Sequence, residues 1–364
     1  MIRTISLENF RNFESFSANV GPITLITGQN GAGKTSILES ISLFGGHRFT
    51  TVLREMIRWD TSYARIEVGL QDDTYSTLRM VVQPKTVRVF GDDSSITLSE
   101  AKARVPSVYF SPRIVSLLED APSLRRRFID QLLTTLFPDY REALRMYSQT
   151  LRQRNAALAQ GNSAQHTVWE DALAEHGAFL TLARNWCIRE LSRFFEPDGA
   201  MKYQMSPKSG SDLLPKEGTF SENLSSTKEP LQYFLQEKWR NLREKEVLVG
   251  FTLMGPQRDD WAVMRYRKNH SDAVSIGNFG SRGEQRMAVI TLQHAALSLM
   301  EKTLPVKPLW ILDDVFSELD THHHTQITSI VDTYQTFVSA ANSNYYGVEE
   351  LLARSGVIHI DLTA

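Results

Sequence analysis

The chain has 364 residues and a formal net charge of −2, with 41% hydrophobic and 23% charged side chains. That balance excludes a disordered polypeptide and gives the whole molecule no strong pull on a polyanion; at this length it suits two lobes rather than one core. No apolar run approaches the roughly 20 residues that span a bilayer. The opening Met1-Ile2-Arg3-Thr4-Ile5-Ser6 lacks the basic-then-apolar order of an export signal, so a cytoplasmic location is expected. Cys187 is the only cysteine, which permits no intramolecular disulfide and reads as a small buried helical side chain.

In chain order, the start reads as strand, turn, strand, with Ile23–Thr27 a short β-rich run. Ile37, Leu38, Ile41 and Phe44 recur at helical spacing after Lys34, and Gly45-Gly46 ends that helix. Three β-type runs follow between Ala64 and Thr97, broken by Gln71-Asp72-Asp73, Pro84-Lys85 and Gly91-Asp92-Asp93, which predicts an antiparallel meander. Arg113 to Phe195 is helical and amphipathic, with Trp169, Leu173, Phe179, Leu180 and Trp186 as candidate core. The polar stretch from Pro207 to Pro230 reads as a surface loop or hinge. Phe251–Met254 and Trp261–Tyr266 then read as strands and Gly283–Leu304 as a helix. Leu309–Asp313, Phe337–Ala340 and Val357–Ile360 are further strands with helices between them.

Gly28-Gln29-Asn30-Gly31-Ala32-Gly33-Lys34-Thr35 is a complete P-loop pattern placed between a strand and a helix. Its glycines let backbone N–H groups curl toward phosphates, and the following helix adds its positive end. Lys34 would neutralise β/γ-phosphate charge, and the Thr35 hydroxyl would ligate Mg²⁺; Ser36 completes the nucleotide-binding set. Leu309-Trp310-Ile311-Leu312-Asp313-Asp314 is an apolar strand delivering two carboxylates. Asp313 would hold the metal, and Asp314 would orient or deprotonate the attacking water. ATP and Mg²⁺ are therefore the expected ligands. Ser281-Arg282-Gly283-Glu284 offers a second anion site through Ser281 and the Gly283 N–H at a helix start. By itself the same tetrapeptide also suits a simple N-cap with a capping acid.

The order of P-loop, Ser-x-Gly-Glu, acid-ended strand and Ser317-Glu318-Leu319-Asp320 resembles the ABC-type ATPases. That resemblance implies that Ser281 and Gly283 bind the γ-phosphate held by a second copy. Leu7-Glu8-Asn9-Phe10-Arg11-Asn12-Phe13 is similar to the opening of the SMC-like branch, which implies that Arg11 approaches the nucleotide. Arg54-Glu55-Met56-Ile57-Arg58-Trp59, Tyr109-Phe110-Ser111-Pro112, Pro122 to Asp130, Tyr140 to Leu158 and Gly255 to Asp260 resemble the RecF family over nearly the whole chain. Gln257 stands where the family usually has histidine, and Ser339-Ala340-Ala341-Asn342 replaces an expected threonine-rich end.

The resemblance implies an α/β fold: an ABC-type ATPase head, with a mixed sheet carrying the P-loop plus the antiparallel meander, and an inserted helical lobe. The expected division is 1–112 and 249–364 for the ATPase lobe and 113–248 for the helical lobe. It further implies an ATP-induced homodimer with weak, DNA-stimulated hydrolysis. Such a dimer would bind single-stranded or duplex DNA at gaps or junctions and help RecO and RecR load RecA. Residues 100–160 hold ten Lys or Arg against six Asp or Glu, which on charge alone reads as a solvated helical face; with the resemblance, Arg125, Arg126 and Arg127 are candidate DNA contacts or instead hold the helical lobe. The alternatives are a transporter's nucleotide-binding subunit, without the basic helical insert, and a P-loop small-molecule kinase, which needs no Ser-x-Gly-Glu. His322-His323-His324 reads as surface, since successive helical residues point apart and cannot close a tetrahedron. Most tryptophans read as packing residues, with Trp59 and Trp239 expected at the surface.

Overall fold

The computed structural model describes residues 1–45, 52–72, 74–160, 169–196, 199–206, 208–266, 273–318, 330–341 and 346–362. The histidine run, Leu319-Asp320 and Asn342 lie outside the described residues. The chain divides into two compact units, one of residues 1–115 and 293–364, the other of residues 116–292.

The first unit opens with β1 (Ile2–Phe10), β2 (Phe13–Asn19) and β3 (Ile23–Thr27), then α1 (Lys34–Phe44) and the single turn α2 (Leu53–Met56). Strands β4 (Ala64–Leu70), β5 (Thr77–Val82), β6 (Val87–Gly91) and β7 (Ser94–Ile96) follow, then α3 (Leu98–Arg104) and β8 (Ser107–Phe110). The expected meander thus has four strands rather than three, because Gly91-Asp92-Asp93 turns the chain into a short extra one. It extends β1 and β2 into a six-stranded sheet of order β2-β1-β4-β5-β6-β7. Ala64, Ile66 and Val68 alternate on β4 and lie directly opposite Val82, Met80 and Leu78 on β5. A one-residue slip of either strand would turn its three to water, so the pattern sets the register.

In the second unit, α4 (Pro122–Leu136) and α5 (Pro138–Ala159) each begin with proline, tolerated where no intrahelical N–H bond is needed. They are followed by α6 (Glu170–Ser192), β9 (Gly199–Gln204) and α7 (Phe220–Val249). Next come β10 (Asp260–Tyr266), β11 (Ala273–Ser275), α8 (Ile276–Phe279) and α9 (Arg282–Thr303), through which the division at Gln293 runs. The expected boundary at 249 differs from this one. The reason is that β10 pairs with β9 and β11 in a three-stranded sheet, which keeps 249–292 with the helices.

Two further expectations are corrected here. Pro230 lies inside α7 rather than in a loop, since a Thr219/Glu222 capping box starts the helix and Leu231, Leu235 and Trp239 give it a buried stripe. Phe251–Met254 forms no strand; Thr252 is held instead by Asn155 and Arg154. Leu173 and Leu180 are fully buried on α6, as is Cys187, whose thiol is pushed up by burial.

The first unit closes with β12 (Leu309–Leu312), β13 (Gln335–Ala340), a short helix Tyr346–Leu352 and β14 (Val357–Asp361). These strands join β3 and β8 in a five-stranded sheet of order β14-β3-β13-β12-β8, and every ladder in it is parallel. All residues of β3 and β12 are buried, as expected of parallel strands covered on both faces. Ile37, Leu38, Ile41 and Phe44 of α1 share one core with the inner face of the meander and with Ile311 and Phe337. Among the described residues, no helix is long and apolar enough to cross a membrane.

Arg154 of α5 is fully buried and donates to Glu170 at 3.0 Å, Glu246 at 2.7 Å and Thr252 at 2.8 Å. Its guanidinium lies over Trp239, whose indole donates to the Met254 carbonyl, so that tryptophan is core rather than surface. Replacing Arg154 with alanine leaves two buried carboxylates facing each other. Arg154→Ala should cost about 3–5 kcal/mol of unfolding free energy, read as a lower urea midpoint.

Candidate nucleotide-binding site

The site grows from the C-terminal ends of the parallel strands, where open α/β sheets bind ligands. After β3 the chain turns through Gly31 at φ 88° and Gly33 at φ 108°. A Cβ on Gly33 would stand 2.5 Å from the Phe13 ring, so both dihedral and space demand glycine. Gly33 is also the N-cap of α1 and supplies no side-chain cap, which leaves the helix's first N–H groups for an anion. The Lys34 ammonium curls back onto the carbonyls of Gly28 at 2.7 Å and Gln29 at 3.1 Å. It therefore sits in the hollow of its own loop, where a phosphate's oxygens would compete for it.

Asp313, at the end of β12, is nearly buried and collects three hydroxyl donors. Thr35 donates to its two oxygens at 3.0 and 3.1 Å, Ser339 at 2.7 Å and Tyr109 at 3.2 Å. Strand register explains the convergence. Tyr109 is paired with Ile311, two residues before Asp313 and on the same face, while Ser339 follows Val338, the partner of Leu312. Burial and the neighbouring carboxylates push the Tyr109 phenol far up, so it remains a donor. Behind it, Gln293 donates to the Tyr109 carbonyl and accepts from the Trp310 indole.

Asp314 adopts a left-handed φ of 50°, and its backbone N–H is taken by Ser339 Oγ at 2.9 Å. One serine thus fixes both acids. In sequence, Tyr109 stands out only within a stretch that resembles the family and Ser339 only as a departure from an expected threonine-rich end; neither is read there as a partner of Asp313. Their signal is slight: a polar residue at the end of an otherwise apolar strand.

A cavity of about 480 Å³ opens here, within the size range of small-molecule sites. Arg11, Asn12, the P-loop, Asp313 and Asp314 line it, and Glu55, Ile57 and Trp59 form further wall. Arg11, also at positive φ, pairs with Glu39 of α1 at 2.6 Å, and Asn12 donates to the Ala32 carbonyl. The predicted P-loop residues, Arg11, Asp313 and Asp314 are therefore brought together.

Ser281 and Gly283 lie in the second unit, at the start of α9. The Ser281 hydroxyl and N–H both donate to Glu284, and the Glu284 N–H returns to Ser281 Oγ at 3.3 Å. The capping acid is real, and Arg265 pairs with it. Of the two roles open to Arg125, DNA contact or holding the lobe, its bonds favour the second. Arg125 is only 12% exposed, grips Asp260 through two bonds of 2.7 and 2.8 Å, and donates to the Asp120 carbonyl. Arg126 likewise donates to the Asp259 carbonyl; Arg127 alone of the three is exposed. Gln257, in the histidine position, donates to the Met254 carbonyl and accepts from Tyr147.

A P-loop and an acid pair at one end of a parallel sheet, beside an antiparallel meander, define the ATPase-head class of protein. The family described as RecF/RecN/SMC N terminal domain matches residues 1–355. The chain is 30% identical over 364 residues to a DNA replication and repair protein RecF of Halothermothrix orenii, covering 96% of this chain and 94% of that one. A RecF of Chlamydia caviae is 29% identical over 96% of this chain and 94% of its own length. Among solved structures, the recombination mediator protein RecF-ATP in the RecFOR pathway superposes with a TM-score of 0.80 at 21% identity, over 100% of this chain and 98% of that one. An Smc head bound to the C-winged helix domain of ScpA gives 0.51 at 13% identity, over 96% of this chain and 91% of that one. This chain belongs to the RecF family.

Ser339→Ala should strip the Asp314 N–H of its acceptor and Asp313 of its shortest donor. The expected loss is about 1–3 kcal/mol of unfolding free energy, with Ser339→Thr milder; denaturant titration of both variants checks it.

Proposed function

We propose that the protein is an ATP-driven DNA-binding switch of recombinational repair and replication-fork maintenance. The convergence of P-loop, Asp313 and Asp314 on one cavity carries this reading, and membership of the RecF family supports it. Gly28 to Ser36 would hold the triphosphate, with Lys34 leaving the carbonyls of Gly28 and Gln29 for β/γ oxygens. The Thr35 hydroxyl and the Asp313 carboxylate are adjacent hard oxygen donors, a set that suits Mg²⁺. Bound there, the cation would offset phosphate charge. Tyr109 and Ser339 would keep Asp313 oriented, and Asp314 would orient or deprotonate the attacking water.

Two copies would close over two nucleotides, each completed by Ser281 and Gly283 of the other, so that ATP acts as a reversible clasp with slow hydrolysis stimulated by DNA. Gapped or junction DNA would be the ligand, recognised through phosphates and shape. RecO and RecR would be the partners in loading RecA. Arg125 and Arg126 already hold Asp260 and the Asp259 carbonyl, which favours Arg127, the exposed one of the three, as the DNA contact.

Binding to single-stranded, duplex and gapped DNA, with and without ATP across a salt series, tests the switch. ATP should strengthen binding, and affinity should fall steeply with salt. DNA binding that ignores ATP counts against the reading. Lys34→Ala should abolish ATP binding in calorimetry. Asp314→Asn should bind ATP normally yet hydrolyse it about 100-fold more slowly, in a phosphate-release assay.

A further inference from the structure

We propose that Trp59 is the platform on which the nucleotide's base stacks, an inference that rests on the nucleotide-binding reading above. Trp59 is 85% exposed, whereas Trp239, Trp261 and Trp310 are at most 2% exposed. An indole left in water on a folded unit forgoes the burial that large aromatics normally gain, and a ligand can supply it. Its place is specific: Trp59 lines the same cavity as Lys34, Thr35 and Asp313.

The backbone beneath the ring is tied down. Ile57 is extended, at φ −92° and ψ 132°, and bridges to Phe10, so residues 57 and 59 project to one side and both reach the cavity wall. The Arg58 N–H donates to the Asn9 carbonyl at 2.8 Å, and the Thr61 hydroxyl returns to the Arg58 carbonyl at 2.9 Å. The Arg58 side chain pairs with Glu14 at 3.1 Å, and Asp60 turns the chain at φ 61°. The ring is thus presented by a pinned segment, which spares the ordering cost a free loop would pay on binding.

The lining of the cavity therefore offers two kinds of chemistry. Lys34, Thr35, Asp313 and the bare N-terminus of α1 suit phosphates and a cation. Trp59, with Ile57 beside it, offers an aromatic and aliphatic surface suited to the flat face of a purine. Stacking tolerates any base, so this wall adds affinity for nucleosides over bare phosphates without choosing between purines.

Calorimetric titration of the full chain with ATP, GTP and inorganic tripolyphosphate tests the platform. In Trp59→Ala, ATP and GTP should each bind about 10- to 100-fold more weakly, while tripolyphosphate binds as before. Trp59→Phe should recover most of the loss, yet lack the quenching of indole fluorescence that ATP produces in the parent chain. Because the ring is exposed, neither change should move the urea midpoint. Unchanged ATP affinity in Trp59→Ala, or an equal loss for tripolyphosphate, overturns the platform and leaves the nucleotide reading standing. Failure of the parent chain to bind ATP overturns both.

Discussion

The Asp313 carboxylate is the point on which the site's geometry depends. A charged oxygen pair with this little exposure is costly unless hydrogen bonds replace its water, and three hydroxyls from α1, β8 and β13 do so. Satisfying one side chain thus requires residues 35, 109, 313 and 339 to converge, although they are scattered over most of the chain. The same bonds hold Thr35 against Asp313 and, through Ser339, hold Asp314 in its left-handed turn. Electrostatic need and functional geometry are one constraint here.

Parallel strands make the convergence possible. Because β3, β8, β12 and β13 run in the same direction, their C-terminal ends open on one edge. Each contributes a different element there: the P-loop, the phenol, the acid pair and the serine. The meander's sheet supplies another part of the wall through β1, whose end places Arg11 and Asn12 against α1 and the P-loop. Its core is shared with α1, so the phosphate loop rests on a packed support.

The second unit shows how charge can mislead. Its basic sequence left a phosphate-tracking face, a solvated face and a structural role all open, and Arg125, Arg126, Arg154 and Arg184 are committed to Asp260, the Asp259 carbonyl, Glu170 with Glu246, and Asp130. Such arginines organise a fold, and the carboxylates they answer lie up to 135 residues away. Ser281 carries a related ambiguity. Its hydroxyl caps α9 through Glu284, and the same helix start is what the proposed dimer would present to a phosphate.

Sequence by itself determined the local pieces: the P-loop, the strand ending in Asp313-Asp314, the amphipathic α1 and the alternation of the meander. Each depends on neighbours a few residues apart, where periodicity and turn chemistry act. It also carried the family resemblance, since ordered motifs survive without knowledge of their contacts. Only the tertiary structure decided that Ser339 and Tyr109 hold Asp313, that residues 249–292 stay with the helices, and that Arg125 is an anchor. It alone left Trp59 exposed and Trp239 buried, though both sit among charges in sequence. The reason is physical: strand pairing and ion pairing join residues whose separation along the chain leaves no trace in local pattern.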